Sequence, residues 1–102
     1  MEIIVSNFAK QQLQDIYDFI TLRASSNIAD KEIERIIQFI SYLETTPKIG
    51  REVEELKSFS LKHRQLVVSN YKIIYRIDNK KIYITDVFDC RQHPNKILKR
   101  SK

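Results

Sequence analysis

Residues 64–88 read RQLVV-SN-YKIIYRI-DNK-KIYITDVF. Val, Ile, Tyr and Phe crowd the three runs, and the pattern changes there to a period of two, that of a strand with two different faces. The interruptions, Ser69-Asn70 and Asp78-Asn79-Lys80, have hairpin-loop lengths and turn-forming residues. Residues 64–68, 71–77 and 81–88 are therefore expected to form a three-stranded antiparallel meander. In its middle strand Tyr71, Ile73, Tyr75 and Ile77 share one face, and Lys72, Ile74 and Arg76 share the other.

Toward the N-terminus the period lengthens. Residues 2–5 are short, apolar and β-branched, and read as a strand. Ser6 or Asn7 then caps a helix whose apolar face is Ala9, Leu13, Ile16, Tyr17 and Ile20. Residues 23–27 break the pattern, with Ser26 or Asn27 as the second N-cap. Ala29, Ile33, Ile36, Ile37, Ile40 and Leu43 form a second stripe, and Thr45-Thr46-Pro47 stops it. Two helices so closely joined pack as an αα-hairpin. The expected fold is α+β: an N-terminal strand and αα-hairpin packed on a small, mainly antiparallel sheet that the first strand joins. Ile16, Ile20, Ile36, Ile37, Ile40, Ile73, Tyr75 and Ile84 should be largely buried between hairpin and sheet. Residues 49–60, with the only glycine and the acidic run Glu52-Val53-Glu54-Glu55, have no clear period. Past Arg91 the chain leaves the sheet, and Pro94 forces a turn or starts a short helix.

A length of 102 residues supports one domain, 1–102. No apolar run approaches the ~20 residues of a membrane span, and Met1–Val5 lacks the basic n-region of a secretory signal. A single cysteine, Cys90, excludes an internal disulfide. A cytoplasmic, reducing location is expected. There is no Gly-rich phosphate loop, which disfavours nucleotide hydrolysis.

The net charge of +5 is unevenly spread. Residues 91–102 carry Arg91, Lys96, Lys99, Arg100 and Lys102 with no acid, and residues 57–76 carry Lys57, Lys62, Arg64, Lys72 and Arg76, again with none. Together they make a basic surface suited to a polyanion or an acidic protein, or else a solvated tail that aids solubility. His63 and His93 lack the companions that a metal site needs, and no cofactor is expected. Cys90 with His93 has the residue types of a nucleophile and base, though a lone Cys at a strand end is more often a packing residue. Arg64 and Lys72, near a tight turn, are expected to converge, with Arg91 joining them from the next strand. Such a cluster holds phosphates or stabilises charge in phosphoryl transfer; the alternative is a set of edge charges that keep the sheet soluble.

Residues 71–77, YKIIYRI, and 82–94, IYITDVFDCRQHP, resemble the C-terminal signature of the RelE/ParE superfamily, the toxins of type II toxin–antitoxin modules often described as plasmid-stabilisation proteins. Residues 6–20 are similar to the family's first helix. The resemblance spans essentially the whole chain. It rests on element order, length and the closing Arg-Gln-x-Pro-like turn rather than on one diagnostic motif. It implies a RelE/ParE-like fold and a cognate acidic antitoxin that wraps the toxin. RelE-like members cleave mRNA on the ribosome, whereas ParE-like members poison DNA gyrase. On the RelE-like alternative, Arg64, Lys72 and Arg91 occupy catalytic positions, with His93 as a substitute acid or base. Leu66, however, stands where a second strand lysine is expected, and Ile97 where a tyrosine is expected. Neither can move a proton, so the resemblance leans toward ParE-like. Whether the chain is an enzyme is left open; if it is, it is a ribosome-dependent mRNA endonuclease. Target or antitoxin binding then falls to Arg64, Lys72, Arg76, Arg91, Lys96, Lys99 and Arg100, without a membrane partner. A further alternative is a non-toxic antitoxin- or nucleic-acid-binding module in which Tyr71, Tyr75 and Tyr83 stack bases.

Overall fold

The computed structural model describes residues 1–53 and 62–91. The elements, in chain order, are β1 (Glu2–Val5), α1 (Asn7–Arg23), α2 (Ser26–Tyr42), β2 (Arg51–Glu52), β3 (His63–Val68), β4 (Tyr71–Asp78) and β5 (Lys81–Asp89). The sheet order is β1-β5-β4-β3-β2. The β3–β4–β5 meander is antiparallel, as its alternation predicts, and β1 joins it parallel to β5 through the register Ile3 to Ile82. Asn79 and Lys80 both have positive φ, 54° and 62°. Ser69 has φ 56° and alone is positive in its turn. These are the φ signs of the primed turns whose twist matches the strands they join.

A bulge in β5 decides which residues face the helices. Ile74 pairs with Asp86 but Tyr75 pairs with Ile84, so Thr85 is the extra residue. Its Oγ1 donates to the Ile74 carbonyl at 3.3 Å. Ile82 and Ile84 before the bulge and Val87 after it therefore all join the core beneath the hairpin, together with Ala9, Ile36, Ile40, Leu43, Val68, Tyr71, Ile73 and Tyr75. Phe88 is switched to the other face, where it packs with Ile74 and Val53.

Ser6 links three elements. Its N–H donates to the Ile84 carbonyl at 3.0 Å, its hydroxyl donates to the Thr85 carbonyl at 3.3 Å, and its Oγ accepts from Ala9 N–H at 3.0 Å. The second cap is Ser25, one residue before the expected Ser26 or Asn27. Its backbone is extended and its Oγ accepts from Ile28 N–H at 3.2 Å. Helix α2 ends at Tyr42, whose carbonyl accepts from the hydroxyls of Thr45 and Thr46 at 3.3 and 2.8 Å. The hydroxyls thus stop the helix before Pro47 has to.

Of the expected core, Ile36, Ile40, Ile73, Tyr75 and Ile84 are buried, and Ile16 and Ile20 are half-buried. Ile37 is a correction: it is 52% exposed. It neighbours Ile36 at 100° around the helix, and only Ile36 points at the sheet. The expected acidic run reaches beyond the described residues at Glu54 and Glu55. Its first residue, Glu52, lies with Arg51 in the short edge strand β2, which had no legible pattern.

Candidate functional site

Arg64 lies on the helix-side face of β3, opposite Tyr75. Its Nη1 donates to the Gly50 carbonyl at 2.6 Å and to the Lys48 carbonyl at 3.4 Å. The fully buried Tyr75 completes this knot. Its hydroxyl donates to the Pro47 carbonyl at 2.8 Å and accepts from Gly50 N–H at 2.9 Å. Residue 50 must be glycine for space: a Cβ there would stand 2.6 Å from the Gln65 carbonyl oxygen and 2.7 Å from the Tyr75 hydroxyl. Arg64 therefore holds the 47–50 loop against the sheet. Burial, the largest effect, raises the Tyr75 pKa, while Gly50 N–H and Arg64 pull it back.

Lys72 is three residues from Tyr75 on β4, on the opposite face of the sheet from Arg64. The expected convergence of Arg64 with Lys72 is thus corrected. Proximity to the turn does not bring them together, because the alternation of the strand sends them to opposite faces. Lys72 is half-buried, opposite Val67 and Phe88, and makes no ion pair with another described residue. Arg76 shares its face. Its guanidinium lies 4.3 Å from the Tyr83 ring centroid and contacts Asp78 at 3.3 Å. Tyr83 is therefore engaged by Arg76, whereas Tyr71 and Tyr75 are core residues and offer no stacking faces. On the same outer face Lys81 meets Glu2 at 3.9 Å. In the amide orientation that satisfies both groups, Gln65 accepts from Arg51 Nη2 and Nε at 2.9 and 2.8 Å.

Arg91 follows β5 and is bound to Asp89. Nε donates to Oδ1 at 3.1 Å, Nη2 to Oδ2 at 2.8 Å, and the Arg91 backbone N–H to Oδ1 at 2.9 Å. Asp89, which the bulge places opposite Tyr71, is buried. Its hydrogen bonds and charge raise the Arg91 pKa above its already high value. Burial, then Glu32 and Asp89, raises the Tyr71 pKa, and Arg91 opposes them. Asp89 carries no signal in the sequence beyond the Asp-x-Arg spacing. Cys90 is tied to Asn70: its N–H and Sγ donate to that carbonyl at 2.9 and 3.1 Å. His93, Lys96, Lys99 and Arg100 lie outside the described residues.

The cations thus fall into three places: Arg64 under the hairpin side, Lys72 and Arg76 on the outer face, and Arg91 at the sheet's end. Leu66, which stands where the RelE-like pattern has a second strand lysine, packs against the main core. Among the described residues no group of three His, Cys, Asp or Glu side chains is arranged to hold a metal, and no helix is long and apolar enough to cross a membrane.

No curated protein matches the chain. Among solved structures, one described as a chromosomal ParDE TA system from P. aeruginosa superposes with a TM-score of 0.72 at 20% identity, covering 87% of this chain and 95% of that one. At that identity the likeness is one of fold. The family model for the ParE toxin of the type II toxin–antitoxin system parDE matches residues 3–94, from within β1 to beyond the end of β5. The chain belongs to the ParE toxin family of type II toxin–antitoxin systems.

Proposed function

We propose that this ParE-family toxin arrests growth by poisoning DNA gyrase and is neutralised by a cognate acidic antitoxin. The separation of its cations carries the choice of gyrase over mRNA cleavage. Stabilising a cleaving phosphate needs donors about 2.7–3.1 Å from one developing charge. Arg64 and Lys72 point to opposite faces of one sheet, and Arg64 and Arg91 are both hydrogen-bonded within the fold. An arrangement of that kind suits binding rather than phosphoryl transfer. Lys72, Arg76 and Arg91 are the described cations assigned to the protein partners, with Lys96, Lys99 and Arg100 as further basic residues. Arg64 contributes by holding the 47–50 loop.

Two assays run side by side test the reading. The purified chain is expected to inhibit gyrase supercoiling and trap cleaved gyrase–DNA complexes, while leaving mRNA on programmed ribosomes intact. Cleavage of ribosome-bound mRNA with gyrase unaffected would replace this reading with the RelE-like one. Inactivity in both, with no arrest in cells, would leave only an antitoxin-binding module.

A further inference from the structure

We propose that Asp89 is a positioning residue for Arg91: it fixes the guanidinium so that its outer edge receives a carboxylate of a protein partner. The inference rests on the toxin reading, which gives that partner as the target whose engagement arrests growth. The fixing itself follows from geometry. Asp89 takes the Nε and Nη2 hydrogens of Arg91 in a fork, and its Oδ1 also accepts the Arg91 backbone N–H. One buried carboxylate thereby sets both the backbone and the head of the same residue. The frame beneath it is fixed as well, since Cys90 is held by two contacts to the Asn70 carbonyl in the adjoining turn.

Exposure runs in opposite directions across the pair. The Asp89 side chain is 8% exposed and that of Arg91 62%. An arginine has five N–H donors. Asp89 takes one from Nε and one from Nη2, which leaves both hydrogens of Nη1 and the second of Nη2 on the exposed side. That edge is a second bidentate receptor already oriented before any partner arrives. Other cations of the sheet differ: Arg64 is directed at loop carbonyls, and Lys72 has no planar fork.

The surrounding charge favours a single carboxylate over a nucleic-acid backbone. Arg91 is already paired with the buried Asp89, and Glu32 as well as Asp89 acts on Tyr71, the residue opposite Asp89 on β4. A polyphosphate would bring closely spaced charges up to those acids. A single carboxylate requires only the fork.

The experiment uses the full chain labelled with 15N-arginine, together with induced expression in cells. The Arg91 Nε–H of the wild type is expected to give a resolved, slowly exchanging resonance that Asp89→Asn abolishes and that a Glu-rich peptide shifts. In cells, Arg91→Ala is expected to raise the inducer level needed for arrest about tenfold or more, the scale of a charge-assisted hydrogen-bond pair. Asp89→Asn and Arg91→Lys should each reproduce part of that loss. Asp89→Asn should add nothing in the Arg91→Ala background, because it acts through that residue. Thermal midpoints of all variants identify any that are merely unfolded. If Asp89→Asn fails to fold, Arg91→Lys and the wild-type spectrum carry the test. A fast-exchanging Arg91 Nε–H in the wild type would overturn the positioning whatever the growth result. Additive effects, or a folded Asp89→Asn protein of full potency, would overturn it too. A resonance moved by a single-stranded oligonucleotide and not by the peptide would overturn the assignment to a carboxylate. A protected resonance in a chain that never arrests growth would instead overturn the toxin reading and the partner contact with it.

Discussion

Tyr75 shows how one hydroxyl can organise a loop. It is fully buried, yet both sides of its oxygen are used, toward Pro47 and toward Gly50. Tyr75→Phe would leave a buried N–H and a carbonyl without their partner. The expected loss is about 1–3 kcal/mol, the usual penalty for an unmade buried hydrogen bond. Its pH signature has a definite sign. The folded pKa lies above the ordinary 10.0, so the native state holds the phenolic proton more tightly than the unfolded chain does. That contribution is complete below pH 10 and is lost as pH rises through the folded value. Urea denaturation at a series of alkaline pH values should therefore give a shallower decline for Tyr75→Phe than for the wild type. Tyr71 and Tyr17, also raised, contribute to the residual slope. The alternation of β4 made Tyr75 legible as a core residue and put Tyr71 on the same face. The hydroxyl's partners were not legible, because they lie in an aperiodic segment that no local pattern connects to residue 75.

Among the elements, caps and edges separate what the sequence reveals from what it hides. Three serines and asparagines in a row all fit a cap, and choosing among them depends on which residue adopts extended backbone. The hydrogen bond falls to Ser25. Ser25→Ala should cost about 1 kcal/mol and Ser26→Ala close to nothing, as measured by thermal unfolding. Gln12 is a second case. Its polar side chain sits among exposed neighbours in the sequence, yet it is buried and its Oε1 accepts Val87 N–H at 2.7 Å. Strand β1 pairs with β5 only as far as Ile84, so the helix supplies the acceptor beyond its end. Gln12→Leu keeps the volume but strands that N–H, and a loss of about 1–3 kcal/mol is expected in denaturant titrations. The bulge at Thr85 was hidden for a related reason: Val87 and Phe88 after it are both apolar, so the sequence does not say which of them faces the hairpin, and only pairing with β4 shows where the parity changes.

For the whole molecule, the order of elements was legible because each long element has a strong period. The site was legible only as a list of cations, since convergence depends on strand parity and on internal partners. Arg64 looked available in the sequence and is turned onto the 47–50 loop, while Arg91 keeps only the outer edge that Asp89 leaves to it. Lys72 keeps its charge on the outer face of β4, half-buried opposite Val67 and Phe88. With a net charge of +5, association with an acidic antitoxin should slow as salt rises, through screening of exposed charge. Lys72→Glu should slow it further at low salt, with the two rates converging at high salt in stopped-flow measurements. An on-rate independent of salt would remove charge steering from the account.

The parallel pairing of β1 with β5 has a consequence for synthesis. β1, which emerges from the ribosome before the other described strands, has as its partner the last strand of the described sheet, with Ile3 set beside Ile82. Until β5 emerges, β1 and the helical hairpin have no central strand to cover, and closing so long a loop comes at an entropic cost that only the completed meander offsets. A nascent chain of this toxin therefore cannot assemble its sheet from the N-terminus forward. The five-stranded sheet is complete only once the residues through β5 have emerged, so any surface that it presents exists no earlier.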